Sequence, residues 1–395
     1  MQCLKKNDGL IKKPSKRLSR ARRRKNKKMI ANDIKMGKLE TASTKHDDNI
    51  RTESAGSSKE DEPVTLRSFS VIKIIGEGAY GKVYLVKKID TGVLYAMKVI
   101  RKSGIYTKKD EKQVLTEKDI TQQIDSPYIV KLHFSFQSET KLFLILDFMD
   151  AGDLCYHIVH KRKIKEPLAV NISAQILLGL KCLHENNILY RDLKPMNILI
   201  DQDFGVKLTD FGLSKRKSST ANPEMTNSIC GTVQYLAPEV ALGNDYSFAI
   251  DWWSFGVILY EMISGKLPFD SNERSIVVKN ILCKSIKYGK CFSPNAKDLV
   301  SKLLVRDPDK RLGAGGAEEV MEHDFFKDID WEDLASPEKA HTIQVKPPKG
   351  YSKYCYGHSV DSSVISEKGQ KRFDIPNFTF IECCSEEESD MISEL

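Results

Sequence analysis

From about residue 66 onward apolar and polar residues alternate, and the period of that alternation changes along the chain. FSVIKIIG (69–76) reads as a strand; a glycine-rich turn follows, then KVYLVKK (82–88), a DTG turn and LYAMKVI (94–100). Three β-type runs joined by tight turns predict an antiparallel meander. A basic connector over 101–110 leads into EKQVLTEKDITQQI (111–124), where Val114, Ile120 and Ile124 permit a helix with one apolar face. KLHFSF (131–136) and KLFLILDF (141–148) read as two further strands. Beyond DAGDL (150–154) the texture turns helical, over 153–163, 167–186, 251–264, 272–284 and 293–305. Strands first and helices after predict an α+β fold with two lobes: a small antiparallel sheet with one helix, then a larger helical lobe. Residues 1–65 and 327–395 lack this patterning and are expected to be tails.

Composition supports a folded body, since 41% of the 395 residues are hydrophobic and 29% charged. The most apolar helical stretch, WWSFGVILYEMIS (252–264), is short and bounded by Asp251 and Lys266, so no membrane span is expected. No apolar run of the secretory kind follows the charged start at Lys5. Nine cysteines without metal-ligand spacing read as scattered thiols of a reducing compartment, in the cytoplasm or the nucleus.

Charge is uneven. Residues 1–40 hold fifteen Lys/Arg against three Asp/Glu, a local +12, while the whole chain is +8, so the remainder is slightly acidic. KKPSKRLSRARRRKNKK (12–28) has no apolar period and repels itself, as a disordered tail does. Such a tail suits nuclear import, anionic lipid or nucleic acid, or is simply solvated. No aromatic residue interleaves residues 1–40, which argues against a nucleic-acid binder that stacks bases. Ser19 in KRLSR has the context of a phosphorylation site.

Chemistry concentrates at a few points. GEGAYGKV (76–83) carries Gly76, Gly78 and Gly81. On its own such a triplet is weak and reads equally as an ordinary turn. A dinucleotide fold needs those glycines to open a helix, whereas here β-branched residues and a DTG turn follow, so the loop caps a hairpin. Glycines there let backbone lie close over phosphates. Lys98 interrupts the apolar strand YAMKVI; it is either an edge lysine or a cation aimed at phosphates, with Glu117 on the following helix as its partner. LYRDLKPMNILI (189–200) places Arg191, Asp192, Lys194 and Asn197 between two apolar runs, and VKLTDFGLSK (206–215) does the same for Asp210. Solvated loops would explain them blandly, but polar groups between buried runs are costly unless used. Asp192 suits a base for a hydroxyl proton, Lys194 a charge neutraliser, and Asn197 with Asp210 hard oxygen ligands for magnesium. Together they fit phosphoryl transfer, where positioning and charge neutralisation do most of the work.

GEGAYGKV, YAMK, YRDLKPMN, DFG and LAPE, in that order over residues 66–326, resemble the signature set of the eukaryotic protein kinases. The resemblance implies ATP and Mg2+ as cofactors, a sheet lobe over 66–146, a hinge over 147–150 and a helical lobe over 151–326. It implies that Gly76, Gly78, Gly81 and Val83 cover the nucleotide, and that Ala96 and Leu199 sandwich the adenine. Asp147 to Met149 then form the hinge, Lys98 pairs with Glu117, Asp192 is the base, and Asn197 and Asp210 hold the metal. YRDLKP with Tyr190, CGTVQYLAPE, DWEDL (330–334) and IPNFTFIE (375–382) resemble the AGC serine/threonine group and its C-terminal extension over 327–395. Its branches closest to this core are the ribosomal-protein and the mitogen- and stress-activated kinases. That likeness implies an upstream activating kinase acting at Ser228, with Arg191 and Lys215 receiving the phosphate, and Thr379 as phosphoacceptor of the hydrophobic motif. It makes Glu239 and Arg311 a buried ion pair. Asp153 and Glu261 become acidic contacts for protein substrates with basic residues before the acceptor, and the chain is expected to act as a monomer.

Two positions depart from the pattern. Ile375 stands where Phe is usual, which is expected to weaken tail docking. Met196 stands where Glu is common, which is expected to relax the demand for arginine two residues before the acceptor. Two other classes compete with an active kinase. A kinase-shaped binding module without transfer activity would lack the strand lysine, the base or a metal ligand, all present here. A nucleic-acid binder would rest on the tail alone.

Overall fold

The strand-forming runs become β1 (Phe69–Gly78), β2 (Gly81–Lys88) and β3 (Leu94–Arg101), followed by helix α1 (Lys108–Gln123), β4 (Leu132–Gln137) and β5 (Lys141–Asp147). In this computed structural model the described residues are 64–78, 81–217, 230–336 and 374–381. All neighbouring strands pair antiparallel, in the order β1-β2-β3-β5-β4. Gly81 is required by this pairing: a Cβ there would stand 1.8 Å from the carbonyl oxygen of Val99 on β3. Period two then sorts each strand. Met97 and Val99 join Phe69, Phe136 and Phe143 in one apolar cluster. Ala96 and Ile100 join Leu142, Leu144 and Val114 in another, against α1. Lys98, between Ala96 and Ile100 in the same alternation, therefore faces the helix.

Helix α1 begins three residues earlier than its apolar period indicates, inside the basic connector. Thr107 caps it: the hydroxyl accepts from the Asp110 amide, and Asp110 Oδ2 accepts from the Thr107 amide at 2.9 Å. This reciprocal cap, with acidic Asp110 and Glu111 in the first turn, offsets the unfavourable lysines at the helix start.

The second lobe runs α2 (Leu154–Lys161), α3 (Glu166–Glu185), β6 (Ile188–Leu189), β7 (Ile198–Ile200), β8 (Val206–Leu208), β9 (Lys215–Arg216), α4 (Pro238–Ala241), α5 (Ala249–Ser264), α6 (Arg274–Cys283), α7 (Pro294–Leu303), α8 (Ala317–Met321) and α9 (Trp331–Ala335). Helices α3 and α5 are apolar around most of their circumference and form the middle of one large core. Among the described residues, no helix is long and apolar enough to cross a membrane. Two short antiparallel pairs, the long-range pair of β6 with β9 and the hairpin of β7 with β8 inside it, carry the polar segments between them. Glu239 and Arg311 form a buried bidentate pair at 2.7 and 2.8 Å, and Arg311 also donates to the carbonyls of Ala249 and Val305. Full satisfaction of this kind is what makes a buried ion pair tolerable; losing one partner costs about 3–5 kcal/mol.

The C-terminal extension is less irregular than its composition implies. Phe380–Ile381 forms β10, which pairs antiparallel with β4, Phe380 opposite Ser135, and completes a six-stranded sheet. Ile375 and Phe378 are fully buried in the cluster that holds Val114 and Ile100. Isoleucine is thus fully enclosed despite lacking a ring, and burying each such side chain contributes roughly 1.5–3 kcal/mol.

A carboxylate ties the two lobes. Asp147 accepts from His133 Nε2 at 2.8 Å, from the Lys131 amide at 3.0 Å and from Lys207 Nζ of β8 at 2.6 Å. Burial alone would raise its pKa, but the His133 hydrogen bond and the Lys207 charge outweigh it and hold the carboxyl well below the usual range. The stability from this shift is complete above the unfolded value of about 3.9 and is lost as pH falls below it. Chemical denaturation of the wild type and Asp147→Asn below about pH 4 should therefore show the steeper acid loss in the wild type. Parallel curves would remove Asp147 as the tie.

Candidate active site

Three segments converge on one cleft. Val114, one turn before Glu117, packs in the sheet-side cluster, and Ile120, one turn after it, packs in the core of the larger lobe, so Glu117 lies on α1 between the two. Lys98 Nζ lies 2.5 Å from Glu117 Oε1 and 3.6 Å from Asp210 Oδ1. The Glu117 side chain is 6% exposed and that of Asp210 50% exposed, so one carboxylate is committed inside while the other faces the opening. Burial would lower the Lys98 pKa; the Glu117 and Asp210 charges outweigh it, and the ammonium stands above its ordinary value. Asp210 adopts a left-handed φ of 63°, and the next residue, Phe211, is fully buried against the Tyr190 ring at 5.3 Å.

The second group lies between β6 and β7. Asp192 Oδ2 accepts from Lys194 Nζ at 2.6 Å and from Asn197 Nδ2 at 3.1 Å, and Oδ1 accepts from the Thr232 hydroxyl at 3.5 Å. Asn197 Nδ2 also donates to the Asp192 carbonyl at 3.0 Å. Its amide is thereby oriented, and its Oδ1 receives no hydrogen bond among the described residues.

The geometry of this loop is set from below by a residue that apolar patterning did not single out. Asp251, 1% exposed at the start of α5, accepts from the amides of Tyr190 and Arg191 at 3.0 and 2.9 Å and from His184 at 2.9 Å. Its only signal in the sequence is an acid heading a stretch otherwise apolar. Gly231 brings the following segment against the loop: its φ is +96°, and a Cβ would stand 2.8 Å from the Arg191 carbonyl.

The remaining predicted residues fall as follows. Val83, Ala96 and Leu199 meet in one apolar cluster, Leu199 reaching it from β7 of the other lobe. Gly76 pairs with Val83 and Gly78 with Gly81, so these glycines form the hairpin tip. Met149 follows β5 and is half-buried. Asp153 caps α2 through the Tyr156 amide at 2.7 Å and bridges to Leu199, while Glu261 accepts from the Tyr235 hydroxyl at 2.7 Å. Burial raises both carboxyls. Met196 is 53% exposed in the turn between Lys194 and Asn197.

Arg191 donates through Nε to the Leu213 carbonyl at 2.6 Å and through Nη1 to the Tyr246 hydroxyl at 3.2 Å. With Lys215, Arg216, Lys109 and Lys112 it lines a cavity of about 660 Å3 between α1 and β9. Ser228 lies outside the described residues. Thr379 is exposed beside β10.

Comparison with known proteins agrees with this arrangement. A family described as protein kinase domain matches residues 69–326. The chain is 40% identical over 311 residues to serine/threonine-protein kinase gad8 of Schizosaccharomyces pombe, covering 79% of this chain and 52% of that protein. It is 43% identical over 277 residues to protein kinase 2 of Dictyostelium discoideum, covering 70% and 57%. It is 44% identical over 277 residues to serine/threonine-protein kinase AtPK2/AtPK19 of Arabidopsis thaliana, covering 70% and 58%. The chain thus spans little more than half the length of these relatives.

Proposed function

This chain belongs to the protein kinase domain family, and from that premise we propose that it is an active AGC-type serine/threonine kinase, transferring the γ-phosphoryl group of ATP to protein hydroxyls. The observation that carries this reading is the convergence of Lys98, Glu117 and Asp210, with Asp192, Lys194 and Asn197 forming the adjoining group. The relatives' names as serine/threonine kinases support the acceptor class, as does Lys194 beside the base.

The donor set fits magnesium. Asp210 offers a half-exposed carboxylate and Asn197 an uncommitted, pre-oriented amide oxygen. Among the described residues no cluster of three or more metal-binding side chains occurs. Two protein oxygens suit an ion that is otherwise held by phosphates and water. Bound Mg2+–ATP supplies the phosphoryl group and spreads its charge; every other task falls to the chain. Val83, Ala96 and Leu199 hold the base, with the hinge beside them, and Gly76, Gly78 and Gly81 let the hairpin tip lie over phosphates. Lys98, fixed by Glu117, presents its ammonium to them. Asp192, buried and gripped by Asn197, accepts the proton of the acceptor hydroxyl. Lys194 stands ready to offset charge on the transferred group.

The proposed regulation draws on the same residues. An upstream kinase phosphorylates Ser228, and the cavity lined by Arg191, Lys215 and the α1 lysines accepts the added charge. Base loop, α1 and activation segment then become one rigid unit. Phosphate on Thr379 reinforces the tail. Substrate arginines meet Asp153 and Glu261, with the demand strongest three residues before the acceptor. Exposed Met196 offers no charge to an arginine two residues before it.

Radiolabel transfer by Asp192→Ala should fall by roughly 10²–10⁴ relative to wild type, the usual contribution of such a base; equal transfer would refute the assignment. Ser228→Ala, compared with wild type after activation, should lose roughly tenfold or more. Unchanged activity removes Ser228 as the switch. A positional peptide library should select arginine three residues upstream and tolerate neutral residues two upstream; a strict arginine at the second position contradicts the role given to Met196.

A further inference from the structure

Positive charge gathers on one face of the larger lobe, on residues that take no part in the site. Residues 161–165, between α2 and α3, read KRKIK, and residues 284–297, running from α6 into α7, hold four lysines; neither stretch holds an acid. Three contacts bring these stretches together around the end of α5. The Ile164 amide donates to the Met262 carbonyl at 2.7 Å. Glu166 Oε2 accepts from the Ser293 amide at 3.2 Å, and the Tyr260 hydroxyl donates to the Lys287 carbonyl at 2.7 Å. Arg162, Lys163, Lys165, Lys266, Lys287 and Lys290 are exposed there, and none has an ion-pair partner among the described residues. Val159, on the last turn of α2 and three residues before Arg162, is 65% exposed. A bare aliphatic side chain thus stands beside a set of unneutralised cations, and crowding of like charge opposes folding unless something outside the chain offsets it.

We propose that this face is a docking surface for an anionic lipid bilayer. Lysine and arginine lay their apolar stems along such a surface and place their charges among the phosphates, while Val159 meets the apolar layer beneath. Nucleic acid fits the face less well. Its ring, Tyr288, is half-buried between Tyr260 and Phe292, with Lys297 Nζ 5.7 Å from its centroid, so it is not offered to a base. Nor can KRKIK be taken up as an extended peptide while the lobe is folded. Ile164 is buried and hydrogen-bonded, and Arg162 has a left-handed φ of 62°. The basic residues 1–40 are drawn to the same kind of surface by their charge of +12. A bilayer serves both at once because it sets no fixed distance between them.

The test sediments the full-length protein with phosphatidylcholine vesicles, with and without phosphatidylserine, in the absence of ATP. Wild type should bind the anionic vesicles alone, and less tightly as salt is raised. Lys163→Gln, Lys165→Gln, Lys287→Gln and Lys290→Gln combined should weaken that binding by about a hundredfold, since each lysine near such a surface is worth roughly fivefold. The same four positions changed to arginine should keep it, and both variants should unfold at the wild-type temperature. Val159→Ser should weaken vesicle binding by a few-fold and leave retention on duplex DNA unchanged. The proposal is overturned if the glutamine variant binds anionic vesicles as wild type does, which would leave residues 1–40 as the sole contact. It is also overturned if phosphatidylserine makes no difference, if Val159→Ser has no effect on vesicles, or if the four lysines matter for duplex DNA and not for vesicles. No nucleotide is present, so the outcome stands whether or not the chain transfers phosphate.

Discussion

A lysine ammonium placed inside a strand, between alanine and isoleucine neighbours on one sheet face, has to be met by negative charge. In this chain that charge comes from two directions. Glu117 descends from α1 and Asp210 arrives from the turn after β8, so one cation draws together the sheet, its helix and the second lobe. The constraint reaches outward from there. The helix must present Glu117 and not the neighbouring Lys118 to Lys98; Val114 packed on the sheet side, Ile120 packed in the core of the larger lobe and the Thr107–Asp110 cap fix that rotation. Burial opposes the charged form of Lys98, and the Glu117 and Asp210 carboxylates outweigh that opposition.

The loop between β6 and β7 answers the same problem by another route. Its polar residues lie between apolar runs, and nearly every one is hydrogen-bonded: Asp192 by Lys194, Asn197 and Thr232, and the backbone of Tyr190 and Arg191 by Asp251. A buried carboxylate that receives two amides and a histidine makes a rigid mount, and Asp251 holds the loop from the central helix of the larger lobe. The Asn197 amide oxygen receives no hydrogen bond among the described residues, and the Asp210 side chain is half exposed. The difference between satisfied and unsatisfied groups separates what builds the site from what binds in it.

Much of this was legible in residue order. Period-two runs located five strands of the main sheet, and the long helices came within a few residues of their observed ends, because burial on one face leaves a periodic trace. What escaped was held by contacts without a period. Helix α1 starts at Lys108, since a single reciprocal cap overrides a basic stretch that looks like a connector. Strand β10 is two residues long, and only its long-range partner on β4 makes it a strand. Asp251 looks like the edge of an apolar stretch until its hydrogen bonds are seen. The Lys102–Asp374 contact joins residues 272 positions apart, which no local pattern can announce. Ile375 lacks the ring of phenylalanine, yet it is completely enclosed. Shape complementarity is set by the pocket's neighbours as much as by the residue that fills it.

The most direct measurement is equilibrium binding of a non-hydrolysable ATP analogue, by calorimetry, with and without magnesium. If Lys98, Asp210 and Asn197 share one metal-triphosphate site, the wild type binds one equivalent and magnesium tightens that binding. Lys98→Met then weakens binding in either condition, while Asp210→Asn removes the magnesium effect alone. No saturable binding, or a magnesium effect that survives Asp210→Asn intact, would contradict the account.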